Sequence, residues 1–360
     1  MPVNHYVTIG RSGLRVSPLC LGAMTFGEEW GWGASVPDSE AIIDRYLALG
    51  GNFIDTANIY TFGHSEKILG DYLAARHGLR DRVVLATKFY GNLYPGDPNG
   101  GGAGRKSLTA AVHQSLRRLQ TDYLDLLWMH AWDRHTPIEE TMRALDDLVR
   151  AGKVRYLGFS DTPAWKAAQA QVTAQLRGWS PVVALQIEYS LLERTVEGDL
   201  VPMAQELGLG VTPWSPLKGG LLSGKYTRAN AGQVTAKRAW TAGGLNEKAY
   251  AVIDALLEVA KQTGSSPARV ALAWLMARPG VTSPILGATS VAQLDDNLAS
   301  LEVKLSAEQV KALDGASTPQ LNFPAGFLSR AGSFMHGGIS VNGDSASPSP
   351  FGPKADSKVW

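Results

Sequence analysis

Short apolar runs alternate eight times with longer segments of helical spacing, and this alternation limits what the chain can fold into. The runs are residues 19–21, 53–55, 83–87, 125–130, 154–160, 184–188, 210–212 and 282–286. Each is bounded by Gly, Pro or polar residues, the pattern of strands buried on both faces. Residues 38–49, 66–75, 108–119, 138–151, 164–177, 200–207, 267–277 and 291–301 carry the helical patterns. Several have boundary signals: Ser65 as N-cap in "HSEKILG", Gly152 at a helix end, Pro163 in a first turn. Eight such units predict an α/β fold, a (β/α)8 TIM barrel. A doubly wound open sheet shares the alternation, and periodicity does not separate the two. "YVTIGRSGLRVS" predicts an N-terminal β-hairpin. Residues 248–263 and the later "SAEQVKALDGA" predict extra C-terminal helices.

A chain of 360 residues with 44% hydrophobic content can build such a core in one domain, here residues 1–330. Residues 331–360 are rich in Gly, Ser and Pro and read as a mobile tail, with Phe334, Met335 and Phe351 available for docking. The net charge of +1 creates no overall pull toward nucleic acid or anionic membrane. No apolar run approaches a membrane span, and no basic-then-apolar leader opens the chain. The lone Cys20 excludes an internal disulfide and reads as a core residue. The expectation is a cytoplasmic protein whose partner is a small molecule, with no nucleic acid or membrane partner and its oligomeric state open.

In a (β/α)8 barrel the C-terminal strand ends and the loops after them build the active site. Asp55, Lys88 and His130 stand at the ends of three successive predicted strands, and Tyr60 follows Asp55 by one short loop. Each alone has an ordinary structural reading; together they form a coherent proton-transfer group. A phenol titrates near 10, and a nearby ammonium favours its anion. Asp55 supplies the counter-charge that keeps Lys88 protonated, and a neutral His130 can orient a carbonyl oxygen. Such a group suits protonation of the alkoxide formed when a carbonyl accepts hydride. No side chain donates hydride, so a nicotinamide is implied.

The motifs resemble the aldo-keto reductase superfamily, from residue 7 to residue 315. "NFIDTANIYTFGHSEKILG" is similar to that family's first signature, and "TDYLDLLWMHAWD" to its histidine segment. "VRYLGFSD" and "LQIEYSLLER" resemble its nicotinamide-binding strands. "VTPWSPLKGGLLSGKY" and "ILGATSVAQLDDNL" resemble its phosphate-binding segments. The details are nearer the bacterial and potassium-channel β-subunit branches than the aldose reductase branch.

The resemblance implies Tyr60 as general acid/base, tuned by Lys88 and Asp55, with His130 orienting substrate. It implies that Ser160, Asp161 and Gln186 hold the carboxamide and that Trp214 stacks on the nicotinamide ring. The family usually has Asn at the position of Asp161. Ser215, Leu217, Gly219, Leu221 and Lys225 fall in the loop that wraps the pyrophosphate. Gly219, Gly224 and Lys225 also spell the start of a P-loop, but Tyr226 stands where the Mg²⁺-binding hydroxyl is needed. Gly287, Thr289, Ser290, Gln293, Asp296 and Asn297 fall at the adenosine end, where relatives often place cations that select NADP. The uncharged Gly287, Thr289 and Gln293 leave NAD or dual use open beside the NADP that the resemblance implies.

The activity this implies is reduction of aldehydes or ketones, or the reverse oxidation. Trp30, Trp32, Tyr90 and Trp132 are expected around the substrate. A nicotinamide-binding regulatory subunit with slow turnover is one alternative. A metal-dependent hydrolase using Asp55, His130, Asp133 and His135 is another, though these do not form a coherent ligand set, and no metal is expected.

Overall fold

The computed structural model describes residues 1–231, 244–354 and 356–358. A hairpin, β1 (Val7–Thr8) and β2 (Arg15–Val16), comes first. The parallel strands follow: β3 (Cys20–Gly22), β4 (Phe53–Asp55), β5 (Val84–Phe89), β6 (Leu124–Met129), β7 (Val154–Ser160), β8 (Val182–Gln186), β9 (Gly210–Val211) and β10 (Ile285–Gly287). The helices are α1 (Val36–Ala48), α2 (His64–Ala74), α3 (Arg105–Arg118), α4 (Ile138–Arg150), α5 (Ala164–Arg177) and α6 (Leu200–Leu207). Then come α7 (Glu247–Thr263), α8 (Pro267–Met276), α9 (Val291–Leu298), α10 (Ala307–Ala316), α11 (Ala325–Leu328) and α12 (Gly332–Met335).

The spatial order β10-β3-β4-β5-β6-β7-β8-β9 follows the chain except at one point, where the last strand pairs with the first. Val211 bridges Val281 in parallel, and the Ile285 N–H donates to the Pro213 carbonyl at 2.8 Å, bringing the two ends of the sheet together. The open-sheet alternative therefore falls: closure satisfies edge groups that an open sheet would leave unpaired. Both faces of the strands are buried, which explains their apolar runs. One core fills the barrel with Cys20, Phe53, Val84, Ala86, Leu126, Trp128 and Ala184, and the hairpin's Ile9 and Val16 join it. The other lies between strands and helices. Cys20 is buried in the inner core, as expected.

Gly158 shows how tight that inner core is. It pairs with Trp128 across β6 and β7, and a Cβ there would lie 2.3 Å from the Trp128 ring. Gly158→Ala is expected to cost about 1–3 kcal/mol by overpacking. A lower urea midpoint with an unchanged slope would register that loss.

Ser65 departs from expectation, because it does not cap α2. The helix begins at His64 after Gly63, whose φ is 93°. The Ser65 hydroxyl instead donates to the Ala23 carbonyl at 2.7 Å and lies 2.8 Å from the Thr56 hydroxyl. Its N–H is accepted by the Thr61 hydroxyl at 3.0 Å. The left-handed turn before the helix moves the capping role back to Thr61 and drives Ser65 inward.

The C-terminal segment includes α12 and a hairpin, β11 (Ser340–Val341) with β12 (Asp344–Ser345). Phe334, Met335 and Phe351 stay exposed, so they do not dock it. Residues 232–243, which follow the segment expected to wrap the pyrophosphate, lie outside the described residues. No helix among the described residues is long and apolar enough to cross a membrane.

Candidate active site

Asp55 is the last residue of β4 and pairs with Ala86, so Lys88 stands two residues further up β5 on the same barrel-facing side. Both are buried. The Lys88 ammonium donates to Asp55 Oδ2, to the Thr56 carbonyl at 2.9 Å and to the Tyr60 hydroxyl at 2.9 Å. Gln186, at the end of β8, donates its amide to Asp55 Oδ1 at 3.1 Å. His130 follows β6 directly, its N–H held by the Phe89 carbonyl at 3.1 Å. Its ring meets the Tyr60 ring edge to face, centroids 5.7 Å apart. The four residues named from sequence thus converge at one end of the barrel.

The electrostatics follow from burial and one short chain of contacts. Burial pulls the Lys88 pKa down, but Asp55 and Tyr60 outweigh it and the ammonium persists. Burial raises the Asp55 carboxyl against the pull of Lys88. For Tyr60, burial also outweighs Lys88, so its phenol lies above the ordinary value rather than below it. The expectation of a lowered pKa is therefore corrected: desolvation of the phenolate is the larger effect. Burial, with Lys88 nearby, lowers His130 to about 3, which leaves a neutral imidazole. A protonated phenol, a fixed ammonium and a neutral imidazole can together deliver one proton to an oxygen and hold its direction.

The turn that carries Tyr60 is unusual. Thr61 and Phe62 have φ of 46° and 58°, and Gly63 continues the left-handed run. Such angles are costly for a β-branched residue. The Thr61 hydroxyl, donating to the Phe26 carbonyl at 3.0 Å, pins the turn. Glu29 pairs with His64 and ties the loop after β3 to the start of α2. On that loop Trp30 packs against Trp32, Tyr60 and Phe62, with centroids 5.5, 6.2 and 6.4 Å apart. Trp132 packs on Trp165 at 5.5 Å. Tyr90, also expected around the substrate, is partly buried against the outer core, where the chain turns with φ 116°. Phe62 and Trp165 carry no sequence signal for membership; only the fold brings them to the other rings.

Ser160 ends β7, paired with Gln186, and its buried Oγ has no hydrogen-bond partner among the described residues. Asp161 follows with φ 41°, its N–H on the Gln186 carbonyl at 3.3 Å. The indole N–H of Trp214 donates to Asp161 Oδ1 at 2.9 Å. An orphaned buried hydroxyl, an amide and a carboxylate beside an anchored indole are the donors and acceptors a nicotinamide carboxamide needs, so these residues fit that group.

The loop after Trp214 is a 3-10 segment, Lys218–Ser223, with left-handed Ser215, Lys218, Gly219 and Gly220. The Gly219 N–H is taken by the Ser215 hydroxyl at 3.0 Å, and Lys218 pairs with Glu188 at 2.8 Å. Leu221 is buried, and the Lys225 side chain has no ion-pair partner among the described residues. Ser290 caps α9 by accepting the Gln293 N–H. The Gln293 side chain accepts from the Thr289 N–H at 2.9 Å, and Asn297 donates toward the Gly287 carbonyl at 3.4 Å. Asp296 pairs with Arg269 of α8 at 2.7 Å. Arg269 is a cation the motif missed, because it reaches α9 from a different helix.

Asp133 accepts the N–H groups of Ala103 and His135 and the Thr136 hydroxyl, all at 2.7–3.0 Å, and so orders loops. Among the described residues no three His, Cys, Asp or Glu gather as a metal-binding group. The model of the aldo/keto reductase family matches residues 18–318. The chain is 41% identical to an uncharacterized oxidoreductase, YrpG, of Bacillus subtilis, over 88% of this chain and 98% of that one. It is 39% identical to the norsolorinic acid reductase stcV of Emericella nidulans, covering 90% and 84%. It is 38% identical to an aryl-alcohol dehydrogenase [NADP(+)] of Phanerodontia chrysosporium, covering 87% and 85%. With a closed barrel and this match over most of its length, the chain belongs to the aldo/keto reductase family and is an NAD(P)-dependent oxidoreductase acting on carbonyl compounds.

Proposed function

We propose that the chain reduces aryl aldehydes and ketones with NADPH, Tyr60 being the proton donor. The observation that carries this is the single ammonium of Lys88 shared between Asp55 and the Tyr60 hydroxyl. A bound reduced nicotinamide supplies the hydride. Tyr60 gives its proton to the carbonyl oxygen as negative charge develops there. Lys88 stabilises the phenolate left behind, and Asp55 keeps Lys88 charged. His130, neutral, offers an N–H that fixes the oxygen's direction. Ser160, Asp161 and Gln186 hold the carboxamide, and Trp214 faces the ring. Ser215, Leu217, Gly219, Leu221 and Lys225 hold the pyrophosphate. Gly287, Thr289, Ser290, Gln293, Asp296 and Asn297 hold the adenosine end. The relative named aryl-alcohol dehydrogenase [NADP(+)] supports NADP over NAD and an aromatic substrate.

The rings of Trp30, Trp32 and Phe62 beside Tyr60 support a flat aromatic carbonyl over a short aliphatic one. NADPH consumption with a matched panel of aryl and aliphatic aldehydes tests both points. Trp30→Ala is expected to raise KM for aryl aldehydes about tenfold, from lost ring contact, and to leave aliphatic ones nearly unchanged. Equal effects on both classes would remove the aromatic assignment. Very slow turnover with all aldehydes despite tight NADPH binding would favour a regulatory subunit.

A further inference from the structure

Among the described residues the charges around the carboxamide pocket do not balance. Lys88 is matched by Asp55, and Glu188, which bridges to Trp214 on the next strand end, is matched by Lys218. His130 is neutral and Tyr60 protonated. Gln186 and Trp132 face Asp161 only through main-chain contacts, its N–H on the Gln186 carbonyl and its carbonyl under the Trp132 N–H. Asp161 remains. Its carboxylate has no ion-pair partner among the described residues; neutral N–H groups alone reach it, the Trp214 indole at 2.9 Å and its own backbone. Its backbone is held at φ 41°, a conformation Asp tolerates better than most residues.

Reduced nicotinamide has a neutral ring, and the oxidised ring carries a positive charge. A hydrogen bond to the carboxamide is common to both forms and cancels in their ratio. The attraction of a nearby anion does not cancel. We infer that Asp161 makes this site discriminate between cofactor redox states, binding the oxidised nicotinamide more tightly than an asparagine would. The inference rests on the proposed nicotinamide pocket and goes beyond it, from which residues hold the cofactor to which redox form they favour. For a carboxylate with solvent access the effect is on the order of tenfold in the ratio of dissociation constants. Tenfold lowers the two-electron potential of the bound pair by about 30 mV, which makes the bound cofactor a stronger hydride donor. Partial desolvation, with the Glu188 carboxylate adding to it and the Trp214 hydrogen bond and Lys88 opposing it, raises the Asp161 carboxyl to about 6. Its charge, and with it the preference, therefore fades as the pH falls through that value.

The test is equilibrium binding on the full-length protein. NADPH and NADP+ are titrated separately by fluorescence and calorimetry at pH 7.5 and pH 5.5. The cofactor's 2′-phosphate titrates in both forms and cancels in the ratio. Asp161→Asn keeps an acceptor for the Trp214 N–H, and Asp161→Glu restores the charge. The Asn variant is expected to weaken NADP+ relative to NADPH about tenfold at pH 7.5, and the Glu variant to recover most of that. The wild-type ratio should move toward that of the Asn variant at pH 5.5, while the variant's stays constant. Ratios equal within twofold in wild type and Asn variant would reduce Asp161 to an anchor for Trp214 and overturn the inference. Failure of wild-type protein to bind either form would overturn the nicotinamide pocket itself, a distinguishable result.

Discussion

Tyr60→Phe is expected to slow carbonyl reduction by about 10²–10⁴-fold, the usual contribution of a positioned general acid. NADPH binding should stay within a few-fold of wild type, because the phenol contacts Lys88 rather than the carboxamide residues. Steady-state oxidation of NADPH, with binding measured separately, checks both parts. Undiminished turnover would remove Tyr60 from the mechanism. The sign of the pH dependence follows from burial. The phenol lies above its ordinary value near 10, so its acid form persists through neutral pH, and loss of the Tyr60 proton slows reduction only on the alkaline side. His130 lies at about 3 and adds no limb between pH 5 and 8.

Lys88→Met is expected to cost about 3–5 kcal/mol of stability as well as most of the activity, because Asp55 is left buried without its ion partner. In the wild type, the raised Lys88 value means its contribution is fully present below the ordinary lysine pKa. It is lost only as the pH climbs past the folded value. In the variant the carboxyl dominates. Burial raises Asp55 above its unfolded value, so protonated Asp55 favours the folded state. That stability is present below about pH 4 and is lost as the pH rises through the folded pKa. The deficit of Lys88→Met should therefore shrink at acid pH and grow toward neutrality. Asp55→Asn in the same chain should restore part of the stability without restoring activity. Urea denaturation across pH reads the first point, and NADPH turnover the second. A deficit independent of pH would show that Asp55 is not the group left unpaired.

Much of this was legible in the chain. The strands 53–55 and 154–160 fall where the apolar runs end, and most others shift by one to three residues, because the registers that fix their ends are set by neighbouring strands. Asp55, Lys88 and His130 were readable together because barrel strands aim their ends at one mouth. Ser65 was misread because a local capping pattern was outcompeted by the left-handed turn at Thr61 and Phe62.

The order of strands and helices, the polar residues at strand ends and the family motifs were determined by the sequence itself, since each depends on short-range pattern. Closure of the barrel, the raised rather than lowered Tyr60, the reach of Arg269 to Asp296 and the lack, among the described residues, of an ion partner for Asp161 were decided only by tertiary structure. Each of these depends on desolvation or on contacts between residues far apart in the chain, and neither is encoded in local spacing.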